Sequence, residues 1–156
     1  MRFSPRRRST GLTRQCALVS RRTPLRSGGA LAVVSTHHVA GGDEQFFADA
    51  QRCYERWDPA TPPGLRLSAT EDVPFDRDQF ESSGRFGQVA FRRYEHQQTY
   101  ATSEYRDLLL SYSNHRAMEP AARSGLLACI AQLIDEHYRG QITKCYLNEL
   151  AVAYKM

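Results

Sequence analysis

No apolar run in this chain approaches the roughly 20 residues that a helix needs to cross a bilayer, so neither a membrane span nor a membrane partner is expected. The four cysteines, Cys16, Cys53, Cys129 and Cys145, stand far apart with no CxxC pair. That spacing excludes the usual zinc motifs, and no bound metal is expected. Nothing near the start has the order of a secretory signal, so reduced thiols and a cytoplasmic location are the expectation. P-loop, GxGxxG, GxSxG and HExxH patterns are absent. Their absence removes the common local signatures of phosphate binding, dinucleotide binding, serine hydrolysis and zinc proteolysis. There is no internal repeat and no low-complexity tract.

Acidic residues are missing altogether from positions 1–42, which hold eight arginines. Residues 43–156 hold the other thirteen of the 21 basic residues against all 17 acids, a balance of −4. The net charge of +4 therefore belongs to the front of the chain. A high isoelectric point gives the folded part no case for binding nucleic acid, which is not expected as a partner. Residues 1–24 set Arg2, Arg6, Arg7, Arg8, Arg14, Arg21 and Arg22 among Ser, Thr, Pro5 and Pro24 with no apolar periodicity. This composition predicts a disordered arm. The arm fits a nucleic-acid contact, an organelle transit peptide, a membrane-surface tail, or the uninformative start of a truncated or misread gene, and the last is preferred.

What remains is ordinary for a globular domain: 41% hydrophobic and 24% charged residues. A chain of 156 residues suits one domain that buries about two-thirds of its unfolded surface. The apolar run at 30–34 lies between Gly28-Gly29 and the polar Ser35, Thr36, His37 and His38. It reads as a strand buried on both faces, as in a mostly parallel sheet. Ligands of open α/β sheets sit outside the carboxyl ends of strands, so chemistry is expected near His37 and His38. Val39-Ala40-Gly41-Gly42 reads as a turn. Asp43 is the expected N-cap of a helix on which Phe46, Phe47, Ala50, Cys53, Tyr54 and Trp57 share a face. Core packing is preferred for that stripe over a pocket wall. Pro59, Pro62 and Pro63 end the helix.

Residues 58–85 form a long irregular segment, expected to be a functional lid or mobile insert pinned by Leu65, Leu67, Val73, Phe75 and Phe80. Its carboxylates read as a solvated loop, not as metal ligands or acid/base pairs. Residues 86–100 read as a second, more polar strand at a sheet edge. Thr102 is the expected cap of a short helix carrying Tyr105, Leu108, Leu109 and Tyr112. Pro120 opens a further helix, Gly140 closes it, and residues 142–154 read as a third strand. The chemistry-bearing residues are thus two clusters, His37 with His38 and Tyr112 with Ser113, His115 and Arg116. A histidine titrating near neutrality suits general-base work, although a lone histidine is more often structural. Spacing does not show whether the clusters meet.

Leu25-Arg26-Ser27-Gly28-Gly29-Ala30-Leu31-Ala32-Val33-Val34 resembles the L-R-P-G-G-x-L segment of class I S-adenosylmethionine-dependent methyltransferases, with Ser27 where proline is usual. In that family the segment turns into the fifth strand of a Rossmann-like sheet. Phe91-Arg92-Arg93-Tyr94, Thr99-Tyr100, Glu104-Tyr105 with Leu108-Leu109, Tyr112-Ser113-Asn114-His115-Arg116 and Thr143-Lys144-Cys145-Tyr146-Leu147 are similar to the back half of the bacterial small-molecule type. The resemblance covers about residues 25–155. It implies an α/β fold with a partial Rossmann-like methyltransferase sheet of about three strands, the last one antiparallel in the middle, flanked by helices. It implies S-adenosylmethionine as cofactor and a small-molecule methyl acceptor as partner. His37, His38 and His115 are then the candidates for catalytic or substrate-side work, with Tyr112 and Arg116 positioning the acceptor. The glycine-rich loop and ribose-binding acid of the family have no counterpart in this sequence, so a truncated form with doubtful cofactor affinity is expected. The open sheet edge at 30–34 would expose apolar groups and invite pairing with another chain. A non-catalytic interaction protein using that edge and the basic arm is the alternative.

Overall fold

The computed structural model describes residues 25–156, so the arm expected over 1–24 lies outside the described residues. Three strands, β1 (Ala30–Gly42), β2 (Ala90–Ala101) and β3 (Gln141–Tyr154), form one antiparallel sheet in the order β1-β3-β2. The helices are α1 (Glu44–Trp57), α2 (Asp78–Glu81), α3 (Thr102–Ser111), α4 (Ser113–Ala117) and α5 (Pro120–His137). Backbone pairs fix the directions. The Asp43 amide donates to the Thr143 carbonyl, while the Gly28 amide donates to that of Lys155. The Thr102 amide donates to Gly140 and the Gly87 amide to Tyr154. The last strand therefore runs antiparallel between the other two, as expected.

The expectation that residues 30–34 are buried on both faces is corrected. β1 is an outer strand, and Val34 is 70% exposed while Leu31 and Val33 pack inward. β1 also runs through His37 and His38 and through the expected turn at 39–42. Gly41 (φ 120°) and Gly42 (φ 65°) carry it onto β3, and a Cβ on Gly42 would collide with the Thr143 carbonyl oxygen. Asp43 occupies the N-cap position of α1 but makes no capping bond. Its carboxylate accepts the Thr143 amide at 2.7 Å, so it ties the helix start to the sheet. β2 begins at Ala90, four residues after the expected start, and Ala101, not Thr102, caps α3. Glu104 accepts the Ala101 amide at 2.8 Å, which replaces the missing side-chain cap. Pro120 opens α5 as expected, with the Glu119 carboxylate accepting the Ala121 and Ala122 amides.

The chain divides into two compact units. Among the described residues, the smaller comprises 25–34, Phe75–Arg92 and Leu150–Met156. Its core is Phe80, Val89, Ala151 and Ala153, with Leu31, Val33, Phe86 and Phe91 packed on it. The larger comprises Ser35–Pro74 and Arg93–Glu149. There Phe46, Ala50, Tyr105, Leu109, Leu126, Leu127, Ile130, Ile134 and Ile142 form the core beneath α1, α3 and α5. Val39, Val73, Cys145 and Leu147 form a second cluster of the same unit.

The expectation of reduced thiols fails in the larger unit, where Cys53 of α1 and Cys129 of α5 form a disulfide with 5.9 Å between their Cα atoms. Both fall on helix faces turned to the same core, and neither spacing nor motif announces that. Cys145 is buried and free, and Cys16 lies outside the described residues.

Candidate functional site

A cavity of about 500 Å³ opens in the larger unit, lined by residues of β1, α1, the 65–68 segment, α3 and β3. Strand alternation on β3 builds its floor. Ile142, Lys144 and Tyr146 share one face, and Ile142 belongs to the core under the helices. Lys144 is thereby held inside at 2% exposure. Its ammonium donates to the Tyr112 hydroxyl at 3.2 Å and lies over the rings of Tyr146, Tyr112 and Tyr105 at 5.0, 5.6 and 5.8 Å. Burial lowers its pKa to about 8.

Tyr112 reaches the cavity because the chain leaves helical geometry there. Its extended backbone (φ −78°, ψ 133°) separates α3 from α4 and turns its ring inward. His115, one turn on, stacks on Tyr112 at 5.7 Å and also faces Tyr54 at 5.7 Å. It is buried, and neither ring nitrogen has a hydrogen-bond partner. Burial lowers its pKa; the backbone of Leu109 and the charge of Asp58 oppose that shift, and Lys144 reinforces it. His38 lines the cavity from β1, edge-on to Phe47 at 4.5 Å, with its Nε2 buried and unpartnered. Burial, and then the Lys144 charge, lowers its pKa to about 3. The imidazole is therefore neutral throughout the physiological range, a hydrogen-bonding group but a weak base. Burial thus brings Lys144 towards neutrality, which is where proton transfer is most effective.

Tyr146 anchors a polar chain beside the floor. Its hydroxyl shares a hydrogen bond with that of Tyr100 at 2.9 Å, and His96 stacks on its ring at 5.2 Å. Asn148 bonds His96 Nδ1 at 2.9 Å and accepts the Thr36 hydroxyl at 2.8 Å. Burial raises the pKa of Tyr54, Tyr105, Tyr112 and Tyr146, so all four keep their protons at neutral pH. The outer wall is the 65–68 segment of the expected lid. It is tied down: the Ala40 amide donates to Ser68, Gln51 donates to the Pro62 carbonyl, and Glu55 accepts the Gly64 amide. Val73 and Phe80 pin the segment as expected, whereas Leu65 and Phe75 are exposed.

The structure thus brings His38 and Tyr112, from two clusters far apart in the chain, to one cavity wall, while His115 stands behind Tyr112 and outside the lining. His37 is half-buried and does not line the cavity, since neighbouring strand residues point to opposite faces. Arg116 is exposed and lies outside the lining. The α1 stripe serves both readings, with Phe46 in the core and Phe47 and Tyr54 on the cavity wall. Sequence reasoning assigned no role to Lys144, Tyr146 or His96. The parity of Lys144 with Ile142 and Tyr146 was the available signal.

The methyltransferases that residues 25–34 resemble hold adenosylmethionine with a glycine-rich loop and an acid on its ribose hydroxyls. Gly41 and Gly42, beside the lining residue Ala40, instead abut Cys145 and Thr143 of β3. These two glycines therefore serve the packing of β1 on β3. Among the described residues no cluster of three or more histidine, cysteine or acidic side chains gathers, and no helix is long and apolar enough to cross a membrane. No family model and no curated protein matches this chain.

Proposed function

We propose that this chain supplies the acceptor side of an S-adenosylmethionine-dependent methyltransferase fold that acts on small molecules. The glycine-rich, cofactor-holding strands would then lie outside these 156 residues. The observation that carries the reading is the sheet, with its last strand antiparallel between two others in the order β1-β3-β2. That is the arrangement implied by the resemblance of the segment at 25–34. The sheet comes with a cavity whose size suits a small molecule and whose walls are aromatic with a few convergent polar groups. In this reading the acceptor lies between Phe47, Tyr54 and Leu109, with Lys144, Tyr112 and His38 fixing its polar end.

The test is the DNA flanking this coding sequence, read in every frame. The proposal expects a strand followed by a glycine-rich loop, and an acidic residue at the end of the next strand. Flanking DNA without them contradicts it.

The exposed Val34 on β1, an outer strand of the sheet among the described residues, favours a second reading, an interaction protein that accepts a strand from another chain. Sedimentation separates the two. Stable self-association or capture that Val34→Lys abolishes supports the second reading, and a monomer indifferent to that change opposes it.

A further inference from the structure

Lys144 is a buried cation that the protein does not neutralise. An ammonium has three donors, and the structure supplies one acceptor, the Tyr112 hydroxyl. No carboxylate pairs with it among the described residues. The buried Glu149 is engaged with Arg93 instead. A charge held at 2% exposure is costly without a counter-ion, and here its unused donors border an open cavity. The groups facing it are His38 from β1, Tyr105 and Tyr112 from α3 and its end, His115 from α4, and Tyr146 from its own strand. All are neutral at pH 7, and Glu44 of α1 and Arg66 are the charged residues of the remaining lining.

The cavity walls narrow the ligand further. A cation would meet the repulsion of Lys144. A phosphate would find one lysine and a phenol there; the lining's arginine, Arg66, donates to the Leu65 carbonyl on the outer wall, and the first turn of α1 brings the Glu44 carboxylate with it. Phe47, Tyr54, Leu65, Leu67 and Leu109 instead present apolar and aromatic surface. We infer that the cavity binds a small aromatic acid, its carboxylate or acidic hydroxyl on Lys144 Nζ and the Tyr112 hydroxyl, its ring among Phe47, Tyr54 and Leu109. This rests on reading the cavity as the acceptor's place and names the acceptor's chemistry.

The experiment is calorimetric titration of the full chain with 2-naphthoate and with 2-naphthamide, which match in shape and differ in charge. The acid should bind roughly 10–100-fold more tightly at pH 7, the range expected when a hydrogen bond to a charged group is gained. Lys144→Met should remove that preference, in a sample whose folded state is read independently by circular dichroism. Because the free lysine loses its proton near pH 8, the preference should shrink as pH rises from 7 to 10. Equal binding of acid and amide by the unaltered chain, or an undiminished preference in Lys144→Met, overturns the anion anchor and leaves the acceptor cavity standing. Binding of neither ligand overturns both.

Discussion

Lys144 shows how a single residue can matter and stay hidden in a sequence. One lysine within an alternating strand reads as a solvated side chain, because lysines are almost never fully buried unless paired. The buried ion of the ordinary kind is Glu149, whose carboxylate accepts the Arg93 Nε–H at 2.8 Å while the same guanidinium donates to the Val73 carbonyl at 2.7 Å. Removing one partner leaves a buried charge exposed to apolar surroundings, so Glu149→Ala should cost about 3 kcal/mol in urea unfolding. The double change Glu149→Leu with Arg93→Met should cost clearly less than the two single changes together; strict additivity would refute the coupling.

Lys144 behaves differently. Its pKa falls from 10.5 when unfolded to about 8 when folded, so the folded state pays for its charge at every pH below 8. That penalty is relieved as pH rises through the window from 8 to 10.5, where the unfolded chain holds more protons. Lys144→Met should therefore raise the melting temperature at pH 7, with the advantage shrinking towards pH 10. An advantage that grows with pH contradicts the assignment. His38 lies within β1 and not, as the sequence suggested, at its carboxyl end, and adjacency in sequence hides that the strand turns His37 and His38 to opposite faces.

At the scale of elements, helices were easier to read than strands. α1 and α5 carry long periodic faces and clear punctuation at Pro59, Pro120 and Gly140, and they form where the pattern places them. β1 misled because a short apolar run is compatible with burial on both faces or with a small-residue edge. Ala32 can sit in solvent as readily as in a core. The turn expected at 39–42 failed for a related reason, since glycines there serve a close approach to β3 and not a reversal of the chain. The edge position has a measurable consequence. The Asp43 amide points to β3 while the Ala40 amide points away, to Ser68. Alternation then leaves the amides of Ala32 and Val34 on the outer edge and those of Leu31 and Val33 on β3. Hydrogen exchange should be much faster at Ala32 and Val34. Uniform protection along the strand would mean that another chain segment covers the edge.

For the whole molecule, the order of the sheet came from resemblance and not from periodicity, which has nothing to say about which strands are neighbours. The disulfide was invisible for the same reason, because its cysteines are 76 residues apart and meet only after α1 and α5 have docked. A loop of that length implies about 4 kcal/mol of stabilisation from the cross-link. Reduction, or Cys129→Ser, should lower the denaturant midpoint accordingly, and an unchanged midpoint would show that the bridge constrains nothing. The cavity lies within the unit that this bridge closes, so ligand binding should weaken with it.

In the proposed function the described residues hold a small-molecule cavity, and the methyl donor's strands lie elsewhere. Calorimetric titration of the full chain with S-adenosylmethionine tests it most directly. The account predicts no saturable heat in the micromolar range from a sample that is folded by circular dichroism. A micromolar dissociation constant with one molecule bound per chain would contradict it.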